Sequence, residues 1–309
     1  MATSNPIVSS LTTYVEEKNG ELLAKSVAGA KSAKLFNLQT GCKGKTAINL
    51  TDMTVVFGNG SVCGWNESGS TEFTQRTIDA IPLSVNMAFC DKKLLKTWAN
   101  YQVQVAALPE DKKMPFEQNF INMLVDRIDA GIEKMIYQGE SGQTDEFEGL
   151  ISILSGATTT ANTVSAASGV SAYSFLKDVA KKLKPVVYEK GNDVAILVSK
   201  ALYEEYMQDL VSANLYHYNP GDGEDEYRLP GTSVKVIAVN GLNDTATNDY
   251  AIAGNLSNFY YGCDLEGDED KIEGWYSKDN REFRFASEFV AGVQVAFPDE
   301  VVFGKRAKA

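Results

Sequence analysis

The chain has 309 residues, 44% of them hydrophobic and 23% charged, ordinary globular values that exclude disorder over most of the length. Its 29 basic and 41 acidic residues leave a formal charge of −12, the opposite of what a protein gripping nucleic-acid phosphates needs. The four cysteines, Cys42, Cys63, Cys90 and Cys263, form no CxxC pair, so a zinc or redox motif is unsupported and free thiols are expected.

The opening residues Met1 to Pro6 lack the charged head and apolar core of a signal peptide. No run approaches the ~20 apolar residues of a membrane helix. A soluble product made in a cytoplasm is expected. Residues 1–43 read as an extended arm. Apolar residues are sparse up to Tyr14 and Val15, and one short helix is carried by Leu22, Leu23, Val27, Ala30 and Leu35.

From residue 44 the pattern turns to strand. Segments 46–50 and 53–57 are rich in apolar and β-branched residues, and Asn59-Gly60 supplies a hairpin turn. A return arm runs through Val62 to Trp65, and a long strand is read over 71–89. A two-stranded hairpin is marginal in water alone. This one therefore needs a surface to lie against, in its own chain or in a neighbour's, and Val55, Phe57, Asn59, Gly60, Val62 and Trp65 are the candidate inter-subunit residues.

Cys90-Asp91 reads as a helix entrance, with Leu94, Leu95, Trp98 and Tyr101 on one face. The clearest helix is 115–138. Phe116, Phe120, Leu124, Ile128, Ile132 and Ile136 recur every four residues, Pro115 suits the first turn and Gly139 the end. At ~1.5 Å per residue it is on the order of 35 Å long. Residues 143–150 and the Ser/Thr/Ala/Gly-rich run 155–168 read as a loop with weak strand character. Helices follow at 172–183, ended by Pro185, and at 201–215. Strands are read at 193–198, 233–239 and 250–261, with a solvated loop over 219–226. This alternation predicts an α/β unit. The last segment, 272–303, is β again, with Phe283, Phe285, Phe289, Val293, Val295 and Phe297 alternating around Ala291-Gly292.

No constellation singles out chemistry. His217, between Tyr216 and Tyr218, is the one histidine, and GxSxG is absent. The glycines from Gly58 to Gly64 lack the GxGxxG spacing and fit a hairpin turn better than a nucleotide loop. The acidic run from Asp264 to Asp270 does not match a calcium loop and reads as a solvated face. No catalytic residue, metal ligand or cofactor is expected.

The order of parts carries more than any motif: an arm, a long hairpin, a long helix, a compact α/β insert, then returning strands. This order resembles the major capsid proteins of tailed bacteriophages with the Hong Kong 97 type fold, an α+β architecture. The local text Thr74-Gln75-Arg76-Thr77-Ile78-Asp79 leading into Val85-Asn86-Met87-Ala88-Phe89-Cys90 is similar to capsid chains of gut Bacteroides-type phages. So is Leu124-Val125-Asp126-Arg127 running on to Tyr137-Gln138-Gly139 and Gly149-Leu150. The resemblance implies an N-terminal arm at 1–43, an extended β-hairpin (the E-loop) at 44–76, a peripheral domain at 77–145 and 262–309 with spine helix 115–138, and an axial domain at 146–261.

It further implies a shell subunit assembling into hexamers and pentamers around double-stranded DNA, in a virion assembled in the host bacterial cytoplasm. Portal, decoration and separate scaffolding proteins are the implied partners. The chain is too short ahead of the hairpin for the scaffolding segment that family members often carry. Cross-linking residues cannot be matched. Interfaces beyond ~2,000 Å² per subunit are expected. Two alternatives stay open: an encapsulin nanocompartment shell of the same fold, and a cytosolic α/β enzyme working through carboxylates.

Overall fold

The computed structural model describes residues 6–54, 56–57, 70–106, 115–157, 162–189, 191, 193–215, 226–264 and 271–308. The chain opens not on an extended arm with a short helix but on a long helix, α1 (Pro6–Ala28). Leu11, Val15 and Leu22 lie on one face and are buried. Through these residues α1 lies on apolar surface already built by other elements. A short α2 (Lys31–Leu35) and β1 (Asn37–Gln39) follow.

Next come β2 (Lys45–Thr54) and β3 (Ser70–Asp79), paired antiparallel from Lys45↔Asp79 to Thr54↔Ser70. The strand expected over 71–89 is two strands, because β4 (Ile81–Cys90) begins after a hand-over at buried Ala80. There the chain changes partner and passes tightly over Gly292, where a Cβ would meet the Asp79 carbonyl oxygen at 2.8 Å and Ala80 Cα at 2.9 Å. α3 (Asp91–Ala106) starts at the expected entrance.

The spine helix α4 (Phe116–Gln138) matches the expected span. Pro115 sits just ahead of it as the cap residue rather than in its first turn. Gly139 ends it at φ −58°, so the glycine is needed for space and not for a left-handed turn. A Cβ there would lie 2.0 Å from the Phe147 carbonyl oxygen.

The stretch read as a loop contains α5 (Leu150–Ala157), which buries Leu150, Ile153 and Leu154. Its strand character is β5 (Thr163–Ala166). α6 (Ala172–Lys181) is capped by Ser171, whose side chain accepts from the Ser174 amide. Pro185 does not merely stop that helix but opens a short α7 (Pro185–Glu189). β6 (Val194–Val198), α8 (Lys200–Ser212), β7 (Glu226–Arg228) and β8 (Lys235–Ala238) follow. The strand expected over 250–261 is β9 (Asn248–Asn255) and β10 (Phe259–Asp264), split by one 3₁₀ turn. β11 (Lys271–Ser277), β12 (Glu282–Val295) and β13 (Val302–Ala307) complete the chain.

Two sheets form the body. One runs β5-β13-β9-β6-β8-β7; in the other, β1 pairs with β10, β10 and β11 follow each other along one side of β12, and β4 lies along its other side. By sheet membership β13 joins the α/β block, although it comes from the closing segment. Strand alternation sends Ile196, Val236 and Ala253 toward α6 and α8, and Ala195, Leu197, Ile237 and Ile252 toward α4 and α5. The same α4 packs through Phe116, Ile121 and Val125 with Phe283, Phe285 and Phe289 of β12 and with Leu11 and Val15 of α1. The spine thus ties both sheets into one core.

Candidate assembly surfaces

The β2–β3 ribbon has two faces of different character. At its root Ile48, Leu50 and Ile78 are buried against Cys42, Ala80, Val290 and Ala296. Arg76 Nη2 donates to Gln294 Oε1 at 3.3 Å, and Gln294 Nε2 donates to the Thr77 carbonyl at 2.8 Å, pinning the root to β12. The opposite face is polar near the root, where Gln75 Nε2 donates to Asn49 Oδ1 at 2.7 Å and Lys45 pairs with Asp79 at 3.5 Å.

Farther out the ribbon presents apolar side chains to water. Phe73 is 79% exposed, Val56 53% and Phe57 95%. Burying a Phe or Val side chain is worth ~1.5–3 kcal/mol. The outer ribbon forgoes that gain inside its own chain.

Of the sequence-derived inter-subunit residues, Phe57 therefore stands in solvent, while Val55, Asn59, Gly60, Val62 and Trp65 lie outside the described residues. Sequence reasoning missed Phe73. Strand parity could have found it, since Phe73 shares a face with Gln75, Thr77 and Asp79, opposite buried Ile78.

A second open surface lies on the five-stranded sheet. Trp275 of β11 stands opposite Arg284 of β12 and is 40% exposed. With Asn86, Met87, Ala88 and Phe285 they line a shallow hollow of about 300 Å³. On the helices, Val103 of α3 and Met123 of α4 also face water.

The polar clusters elsewhere are buried ties. Ser32 donates its amide to Glu133 Oε2 at 2.9 Å and its hydroxyl to Glu133 Oε1 at 2.6 Å, with Tyr137 Oη 2.6 Å from the same hydroxyl. Burial pushes the Tyr137 phenol above its ordinary range. All three residues are shut from solvent, so this group seats α2 on the spine. Arg306 grips Glu205 with two hydrogen bonds, at 2.7 and 2.5 Å, and reaches Asp249 at 2.7 Å, joining β13 to α8 and β9. The Arg306 hydrogen bond holds the Glu205 carboxyl below its usual range.

Cys42 and Cys263 are buried and Cys90 is exposed, all three as free thiols. The Cys42 sulfur lies where a Cβ at Gly262 would meet it at 3.0 Å. The neighbouring Cys263 side chain points to the other face of β10, so these two thiols do not face each other. Cys63, His217, the glycines from Gly58 to Gly64 and the acidic run beyond Asp264 lie outside the described residues. Among the described residues no group of three His, Cys, Asp or Glu gathers as metal ligands, and no helix is long and apolar enough to cross a membrane.

No protein-family model and no curated protein sequence matches the chain. Solved structures do match, at low identity and almost end to end. A satellite phage P4 procapsid chain is 10% identical with a TM-score of 0.63, over 94% of this chain and 91% of that one. The chain shares the fold of phage capsid subunits. A Microbacterium phage Oxtober96 chain aligns at 11% identity and TM-score 0.55, over 91% of each chain. A virus-like particle from Pyrococcus furiosus aligns at 9% identity and TM-score 0.53, over 94% of this chain and 98% of that one.

Proposed function

We propose that this chain is the major capsid protein of a tailed bacteriophage, of the Hong Kong 97 type, assembling into hexamers and pentamers that enclose double-stranded DNA. Residues 1–43 serve as its N-terminal arm, 44–76 as its E-loop, 77–145 with 262–309 as its peripheral domain, and 146–261 as its axial domain, with β13 as a strand lent back to the axial sheet. The observation that carries the reading is the β2–β3 ribbon, rooted by Ile48 and Ile78 yet ending in exposed Phe73 and Phe57. Such a ribbon is incomplete alone, and repeated copies in a closed shell cover every ribbon by symmetry. The net charge of −12 suits a wall that contains DNA without gripping it.

The subunit works as a structural part of the virion, assembled in the bacterial cytoplasm with portal, scaffolding and decoration proteins as partners. Negative-stain electron microscopy of the purified protein tests the reading. Closed particles tens of nanometres wide are expected. A compact monomer at high concentration by light scattering would overturn it.

A further inference from the structure

The spine carries a row of carboxylates on the face that meets the N-terminal helices. Asp126, Asp129 and Glu133 are spaced three and four residues apart, so they stack along one side of α4. Glu133 is answered by the amide and hydroxyl of Ser32. Asp129 is not answered in the same way, because its Oδ1 is buried without a hydrogen-bond partner. The link between α1 and α2 presses directly on it. A Cβ at Gly29 would lie 2.2 Å from Asp129 Oδ2 and 2.6 Å from its Cγ. The chain thus approaches this carboxyl as closely as a glycine allows.

The charged and titratable groups around it are Asp126 and Glu133 on α4, Lys25 on α1, Lys34 on α2 and Tyr261 on β10. The lysines do not close on it; Lys25 Nζ reaches Asn122 Oδ1 at 3.5 Å instead. A half-buried carboxyl whose Oδ1 is shut from water without a partner, beside two like charges, favours the neutral acid.

We propose that Asp129 is a proton-controlled latch: the neutral acid lets α1 and α2 close on the spine, and its ionisation loosens that contact. Burial, followed by the charge of Asp126, raises the carboxyl from an ordinary 3.8 to about 7. With α1 and α2 released, Asp129 stays on α4 but regains water, and its carboxyl falls back toward the ordinary value. The docked state therefore holds the proton more tightly than the released state. Docking is undisturbed below the ordinary value. It weakens as pH rises toward about 7, and no further change follows above that. The limiting slope is roughly tenfold in the docking equilibrium per pH unit within that window. The latch sits inside one subunit and does not depend on the shell reading.

Hydrogen exchange of the full-length protein, corrected for the intrinsic pH dependence of amide exchange, reads the latch at residues 6–36. From pH 5 to pH 8 their protection is expected to fall at least about tenfold, while the buried amides of β6 keep theirs. Asp129→Asn, uncharged at every pH, is expected to hold the protection at its acid value throughout. Asp126→Asn removes a like charge, so loosening is expected to be complete at a lower pH than in the parent. That variant keeps the test open where Asp129→Asn does not fold. Protection of residues 6–36 that is flat with pH in the parent, a pH dependence that survives Asp129→Asn, or an unmoved profile in Asp126→Asn would each overturn the latch.

Discussion

The six-stranded sheet and the β2–β3 ribbon are both made of hydrogen-bonded strands, yet they end in opposite situations. In the sheet, β6 is buried over all five residues, with α6 and α8 on one face and α4 and α5 on the other. In the ribbon, among the described residues, the root is covered while Phe73 stands 79% exposed on a strand paired with β2. Apolar strand residues are stabilising only where a second layer meets them. The sheet finds that layer in its own chain. The ribbon does not, and that asymmetry separates the self-sufficient part of the subunit from the part that looks outward.

The largest expected effect lies in the self-sufficient part. Ile196→Ala leaves a cavity between β6 and the helices above it, and should cost ~2–5 kcal/mol in chemical denaturation. A loss below about 1 kcal/mol would mean that the sheet is not the stable body it is taken to be. Phe73→Ala is the converse probe. Subunit stability should move by no more than about 0.5 kcal/mol, as for an ordinary surface change. The assembled state should weaken by ~1.5–3 kcal/mol for each Phe73 ring removed from an interface, roughly a ten- to hundredfold rise in the concentration at which light scattering detects particles. Equal effects on folding and assembly would erase the contrast.

The N-terminal helices are intermediate, docked through Leu11, Val15 and Leu22 and through the Ser32 hydrogen bonds. Ser32→Ala removes the hydroxyl that Glu133 and Tyr137 share while keeping the amide bond to Glu133, and should cost ~1–3 kcal/mol in chemical denaturation. The smallest effect concerns acid. The Glu205 carboxyl is held below its ordinary range by Arg306, so its contribution is present above that range and fades as pH falls through the lowered value. Its side chain is 43% exposed, and screening limits the contribution to ~1 kcal/mol or less. Stability curves of the parent and Glu205→Gln should therefore converge toward acid pH; a gap that does not narrow as the pH falls would contradict the assignment.

The spine was legible because Phe116, Phe120, Leu124, Ile128, Ile132 and Ile136 repeat near the helical period over roughly five turns, a signal that survives tertiary context. α1 was not legible over its full length, since Thr12, Thr13, Asn19 and Gly20 weaken the helical pattern between Leu11 and Leu22. α5 was hidden by its length of eight residues and its Ser-Gly-Ala end. The hand-over at Ala80 could not be read because it depends on Gly292, far along the chain. The Ser32–Glu133 hydrogen bond joins residues 101 apart, and no local pattern announces it. Strand parity did hold the clue to Phe73, but only once the buried face of β3 was fixed by Ile78.

Hydroxyl-radical footprinting of Phe57 and Phe73 across the assembly concentration tests the outward-looking ribbon most directly. Both rings should oxidise fast in the dilute subunit and several-fold more slowly once particles form. Equal oxidation rates in subunit and particle would contradict the claim that copies of the chain cover the ribbon.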